Sequence, residues 1–285
     1  MFASDYQDSV KEKSYSSDLT WQQWEVVKPH LHSSHTGRPI IIPLKDVVDA
    51  IFYFTKNNCT WADLPHDFPD YRRVNEWFTK WRGDGTWQRL LDALREAARV
   101  AAGREPAPSE ACLDSQSVKA AATGGERGYD GGKRVNGRKR HILVDTLGLL
   151  LVVVVTPANV SDSQGGQRVL AEVGPTTHPR LRAIHVDRAY ERDGLRDYNA
   201  DRGGYEFVFR GRPEGAKGFV PLKKRWVVER TFAWLGKYRR LARDYETDTG
   251  SSEALIQVAM IHIILKRKLS LNRATVNAQT AKAAA

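Results

Sequence analysis

Apolar residues recur at intervals of three and four as far as residue 102, and from residue 111 onward they fall into short runs and alternations. The first pattern belongs to amphipathic helices and the second to strands. Between them lies Gly103-Arg104-Glu105-Pro106-Ala107-Pro108, a segment built to interrupt either one. Two structural units are therefore expected, a helical one over residues 19–103 and a strand-containing one over 111–269, joined by a linker at 104–110. Residues 1–18 and 270–285 lack anchoring apolar positions and read as a disordered arm and tail.

In the first unit helices are predicted over 21–28, capped by Thr20 and ended by Pro29, and over 44–57, 72–82 and 86–102. In the second, strands are predicted at 111–118, 139–144, 149–156, 181–187 and 205–210, and helices at 162–173, 192–201, 222–241 and 252–269. A glycine-rich basic loop is expected at 124–137 and a hairpin turn at 145–148. Three meander strands followed by alternating strands and helices predict an α/β fold with a mixed sheet flanked by helices.

The chain has 285 residues, a formal net charge of +10 and a sequence pI near 9.6. Such a charge is the electrostatic footprint of a nucleic-acid binder, although many basic proteins bind nothing in particular. Two cysteines, Cys59 and Cys112, are too few for a disulfide framework or a cysteine zinc site, and both are expected to be reduced core thiols. The longest apolar run, 147–155, is strand-length and far short of a bilayer span, and the first 18 residues are too polar for a signal peptide. A cytoplasmic, nucleoid-associated location is expected.

Three carboxylates stand where this architecture could gather them. Asp114 lies in the first strand, Asp187 ends the fourth, and Glu229 sits on a helix that is apolar nearly all round. The carboxyl edge of an α/β sheet is where ligand sites collect. Carboxylate oxygens are the donors magnesium prefers, and two ions can serve an in-line phosphoryl transfer. Each residue alone also fits a turn former, a helix cap or a surface glutamate.

Three stretches carry a resemblance. Leu113-Asp114-Ser115-Gln116-Ser117-Val118, with Gly128-Tyr129-Asp130-Gly131-Gly132-Lys133 and Gly137-Arg138-Lys139-Arg140-His141, resembles the first catalytic block of insertion-sequence transposases. His185-Val186-Asp187-Arg188-Ala189-Tyr190 resembles the second, and residues 225–235 followed by Tyr238-Arg239-Arg240-Leu241 resemble the third. The family is the insertion-sequence-five group of DDE transposases, and the likeness extends over the helical part to residues 19–268. It implies a ribonuclease H-like catalytic fold behind an all-helical DNA-binding domain. It further implies that Asp114, Asp187 and Glu229 are catalytic and hold two Mg2+ ions, with Mn2+ as a substitute. The partner would be double-stranded DNA, both terminal inverted repeats and target, bound by a homodimer. In the third block Arg225 and Glu229 fit the superfamily's Tyr-x2-Arg-x3-Glu-x6-Lys pattern. Leu222 stands at the tyrosine position and Gly236 at the lysine position, with Lys237 one residue late.

DNA contacts are expected from Arg38, Arg72 and Arg73 in the helical unit and from Arg134, Arg138, Lys139, Arg140 and His141 beside the first block. Arg188, Arg225, Arg230, Lys237 and Arg239 are expected to add contacts near the second and third. Two other readings stay open: an inactive inverted-repeat-binding protein acting as a repressor, and a structure-specific nuclease of the same fold.

Overall fold

The computed structural model describes residues 15–31, 42–122, 125–174, 176–187, 190, 194–202, 204–209 and 226–267. Arg38, Arg188, Arg225 and the tail at 270–285 lie outside them.

Four helices come first: α1 (Trp21–Val27), α2 (Leu44–Asn57), α3 (Tyr71–Gly83) and α4 (Thr86–Ala101). Thr20 and Gln23 cap α1 reciprocally, and Asp70 caps α3 by accepting from the Arg72 amide. Pro29 does not end the first helix abruptly, because a 3-10 turn, Lys28–His30, carries the chain through it. A proline in an opening turn forfeits no hydrogen bond. Residues 15–18, expected to belong to the free arm, form a turn in which Tyr15 stacks on Phe68 and meets Tyr53.

Among the described residues six strands form one sheet: β1 (Glu110–Lys119), β2 (Gly128–Asp130), β3 (Val135–Asp145), β4 (Leu150–Pro157), β5 (Ala183–Val186) and β6 (Glu206–Phe209). Its order is β2-β3-β1-β5-β6, with β4 on the far side of β3. β1, β3 and β4 form an antiparallel meander, while β5 and β6 run parallel to β1. The remaining helices are α5 (Asp162–Ala171), α6 (Leu195–Arg202), α7 (Trp226–Leu235) and α8 (Thr249–Lys266).

The expected loop at 124–137 is instead a small hairpin: β2 pairs with the start of β3, and Arg134 turns the chain at φ 54°. Gly137 lets the backbones meet here, since a Cβ on it would fall 2.0 Å from the Val118 carbonyl oxygen. The long helix expected at 222–241 ends at Leu235 among the described residues. Gly236 favours the break, and Tyr238 is extended at φ −95° before a 3-10 turn, Arg239–Leu241.

Two cores cover the sheet. On one face α5 and α6 pack on Leu113, Leu143, Ile184 and Val186. On the other, α8 lies between the sheet and the first four helices, and a single apolar cluster runs from Val47 and Trp81 through Ile261 to Cys112 and Ile142. α8 is apolar on every side, as a helix enclosed all round must be. The linker thus separates sequence patterns while one core passes across it. Cys112 is buried in that core and Cys59 is half-buried, both as free thiols. Among the described residues no helix is long and apolar enough to cross a membrane.

Candidate active site

β1 and β5 are adjacent and parallel, and their last paired residues are Cys112 and His185. Asp114 and Asp187 each lie two residues further on, so equal advance along parallel strands keeps them side by side. Strand alternation gives them the parity of Cys112, whose side chain belongs to the core under α7 and α8. Both aspartates line one small cavity, about 10 Å3, with His185 and with Val228 of α7. That is room for a single water-sized occupant. Glu229 follows Val228 directly and is exposed on α7. The structure therefore brings Asp114 and Asp187 together, while Glu229, next to Val228 on α7, is not among the residues that line their cavity. Among the described residues no group of three or more His, Cys, Asp or Glu is drawn close enough to hold a metal.

Two supports fix this edge. The Ser115 amide donates to Asp114 Oδ1 at 2.7 Å, and the Ser115 hydroxyl donates to Asp162 at 2.6 Å. Behind them Tyr190 is fully buried, and its backbone amide donates to the Asp187 carbonyl at 3.0 Å. Burial pushes the Tyr190 phenol well above its ordinary value, and the charges of Asp114, Asp162 and Asp187 push the same way. A neutral hydroxyl thus backs the carboxylates. His185 is buried and shares its Nε2 with Glu110 at 2.7 Å.

The basic run of the first block is not a surface patch. Arg138, Lys139, Arg140 and His141 are only 1%, 6%, 2% and 0% exposed. They occupy β3, a strand paired on both edges and covered on both faces, so alternation sends them to opposite sides of the sheet. Arg138 reaches the segment before α8 and its first turn, where it bonds Asp244 and Ser252 at 2.9 Å and the Thr247 carbonyl at 2.8 Å. Arg140 donates to the Leu241 carbonyl at 2.7 Å, and burial lowers its pKa to about 10. Lys139 takes the other face and meets the Val160 carbonyl at 2.9 Å, Asp162 at 3.2 Å and Asp130 at 3.6 Å. Asp130 and Asp162 are both held below the usual carboxylate range, where serine hydrogen bonds and the lysine charges outweigh burial. His141 bonds Thr156 and packs on Gly165, where a Cβ would fall 2.0 Å from its ring. Burial lowers its pKa to about 4, which keeps the imidazole neutral. The expectation that Arg138, Arg140 and His141 touch phosphate is corrected by this burial.

The other expected contacts lie differently. Arg134 is exposed at the hairpin turn, and Lys237 and Arg239 are exposed beyond α7. Arg72 and Arg73 stand on the outside of α3 in exposed pairs with Asp70 and Glu76. Such pairs are weak enough to be exchanged for phosphate. Arg230 lies between the rings of Trp226 and Trp234, 4.2 and 4.6 Å from their centroids, and donates to the Leu147 carbonyl at 2.8 Å. The Lys139, Asp162, Asp130 and Ser115 network was not foreseen. Its one trace in the sequence is a lysine in the middle of a strand between arginine neighbours.

Residues 105–264 match the family model described as "Transposase DDE domain", and residues 19–91 match "Putative transposase of IS4/5 family". A relative from Burkholderia cepacia, described as "Putative transposase for insertion sequence element IS402", is 36% identical over 116 residues. That stretch is 39% of this chain and 54% of the relative, so the chain spans about half the relative's length. With the DDE model matched over more than half of its length and the two blocks of aspartates side by side on β1 and β5, this chain belongs to the IS4/5 group of DDE transposases.

Proposed function

We propose that this chain cuts DNA at the ends of an insertion sequence and joins those ends to target DNA, using Asp114, Asp187 and Glu229. The observation that carries the reading is the pairing of Asp114 and Asp187 over one cavity beneath Val228, with Glu229 the next residue on α7. A ribonuclease H-like fold agrees with this placement, since the sheet combines an antiparallel meander with parallel β5 and β6.

The donor set suits hard divalent cations, which take carboxylate oxygens and keep water and phosphate in their remaining positions. Mg2+, with Mn2+ as a substitute, would supply charge to the scissile phosphate and a more acidic water. Asp114 and Asp187 would hold it from the sheet and Glu229 from the helix. The Ser115 amide orients the Asp114 carboxylate. Tyr190 keeps its proton there, so it adds no competing charge. Water attack would break a P–O bond and free a 3′ hydroxyl, and that hydroxyl would then attack a target phosphodiester and expel a second 3′ oxygen. Arg72 and Arg73 of the helical part would contact the terminal repeats, and Arg230 and Arg239 the strand near the site. Two ends must be joined in one event, which calls for a homodimer on DNA.

The test is magnesium-dependent cleavage and strand transfer on a duplex bearing the element's own inverted repeats, comparing wild type with Asp187→Asn. Wild-type product and a loss of about 1,000-fold or more in the variant, with DNA binding kept, support the reading. A wild type that binds its repeats and cuts with no divalent metal sinks it in favour of a repeat-binding repressor. Cleavage without joined product points to a plain nuclease.

A further inference from the structure

Where α7 ends, the last turns of α2 and α8 come beside it and enclose a cavity of about 400 Å3. Four cations line it: Lys56 from α2, Lys237 after α7, and Lys266 and Arg267 at the end of α8. Among the described residues no carboxylate lines it. Neutral groups hold the cations in place. Lys56 donates to the Lys237 carbonyl at 3.0 Å and lies 4.5 Å from the centre of the Tyr238 ring. Arg267 covers the Trp234 ring at 3.2 Å, and Lys266 donates to the Asp18 carbonyl at 2.7 Å.

Like charges gathered around one cavity repel. The effect is visible in the Lys56 ammonium, whose pKa is lowered first by burial and then by Lys237 and Arg239. Arg267 is lowered by burial and by Arg230. A carbonyl and aromatic faces orient Lys56 and Arg267, so an arriving anion meets donors that are already placed. Trp234 lies five residues beyond Glu229 on α7. At 1.5 Å per residue that is about 7.5 Å along the helix, roughly two nucleotides of a duplex strand.

We propose that this cavity is a phosphate subsite for the backbone of the bound DNA, formed by Lys56, Lys237, Lys266 and Arg267 at a distance from the cutting carboxylates. The proposal rests on the transposase reading and adds α2 and α8 to the DNA-holding surface. A DNA strand that passes Glu229 continues along α7 and places a phosphate between the two elements, which locks the end of α7 against the helical part of the chain.

The experiment measures affinity for a labelled duplex by fluorescence anisotropy, in EDTA, over a series of salt concentrations. Wild type is compared with Lys56→Gln/Lys237→Gln, with Lys237→Glu, and with Arg202→Gln as a control on the exposed end of α6. The slope of log affinity against log salt should become shallower by about 1 in the double variant, one phosphate contact's share, and stay unchanged in the control. Lys237→Glu should weaken binding further, and without DNA the double variant should melt no lower than wild type. Unchanged slopes in both variants, with duplex binding retained, overturn the subsite and leave the transposase reading standing. A wild type that binds no duplex overturns both. Weaker binding of inorganic phosphate by the variants, with the DNA slope unchanged, assigns the cavity to a free anion and overturns its nucleic-acid role.

Discussion

Two groups of cations in this molecule share residue types and have opposite settings. Arg138, Lys139 and Arg140 lie inside the sheet, with carboxylates, hydroxyls and carbonyls at hydrogen-bond distance on both faces. Lys56, Lys237 and Arg267 crowd a cavity at the end of α7 that, among the described residues, no carboxylate lines. A buried guanidinium has a partner because desolvation leaves it no alternative, and removing either member strands the other. A half-exposed cation near water can remain without an acid, and its charge stays available to an incoming anion. The same residue types thus serve as buried structural partners in one setting and as accessible charge in the other.

The sharpest way to break this contrast is Arg138→Ala, which leaves Asp244 buried with its cation gone. A loss of about 3–5 kcal/mol in unfolding free energy is expected by denaturant titration. A loss under about 1 kcal/mol, of the kind usual at surface sites, would mean that β3 tolerates the missing charge. Lys139→Met comes next, since it leaves Asp130 and Asp162 without their shared lysine. Both carboxyls should then titrate higher by NMR, and metal-dependent cleavage should fall while duplex affinity holds. If duplex affinity falls instead, Lys139 belongs with the DNA-facing cations and the contrast fails.

Glu253 tests burial of the opposite charge. Its carboxyl accepts from the Val155 amide at 2.8 Å and is raised from 4.5 to about 7. Burial is the main cause, with the Val155 bond opposing it and Asp248 and Glu172 adding to it. The folded chain thus keeps the proton longer than the unfolded one. This contribution is full below about pH 4.5 and is lost as pH rises through about 7. Glu253→Gln should melt higher relative to wild type at pH 8 than at pH 5, and parallel melting curves at both pH values would contradict the shift. The smallest effect is expected from Arg72→Gln. Stability should move by no more than about 0.5 kcal/mol. The salt dependence of repeat binding should become shallower by about 1 if this arginine meets a phosphate.

The order and type of most elements were legible because periodicity is local. Leu44–Asn57 was given by apolar spacing alone, and the strand runs around Leu113, Ile142 and Val153 by their branched residues. The meeting of Asp114 with Asp187 was expected from one position within the first strand and one at the end of the fourth, although 72 residues separate them and only the β1–β5 register sets them abreast. Glu229 was read on a helix that looked apolar nearly all round, and its exposure follows from α7 packing one side on the core. The role of 138–141 was misread for a physical reason. A run of basic residues looks like a solvated surface in any local window, because the Asp244 and Asp162 that neutralise it lie elsewhere in the chain.

By itself, the sequence determined the change from helices to strands, the three carboxylate-bearing blocks and the transposase likeness, since each is written in neighbouring residues. Tertiary structure alone decided which cations are buried and which remain available. It also decided that α8 binds both parts of the chain into one core, and that Lys56 and Arg267, far apart in sequence, share a cavity. Burial and charge compensation depend on what the rest of the chain brings alongside, and no local pattern encodes that.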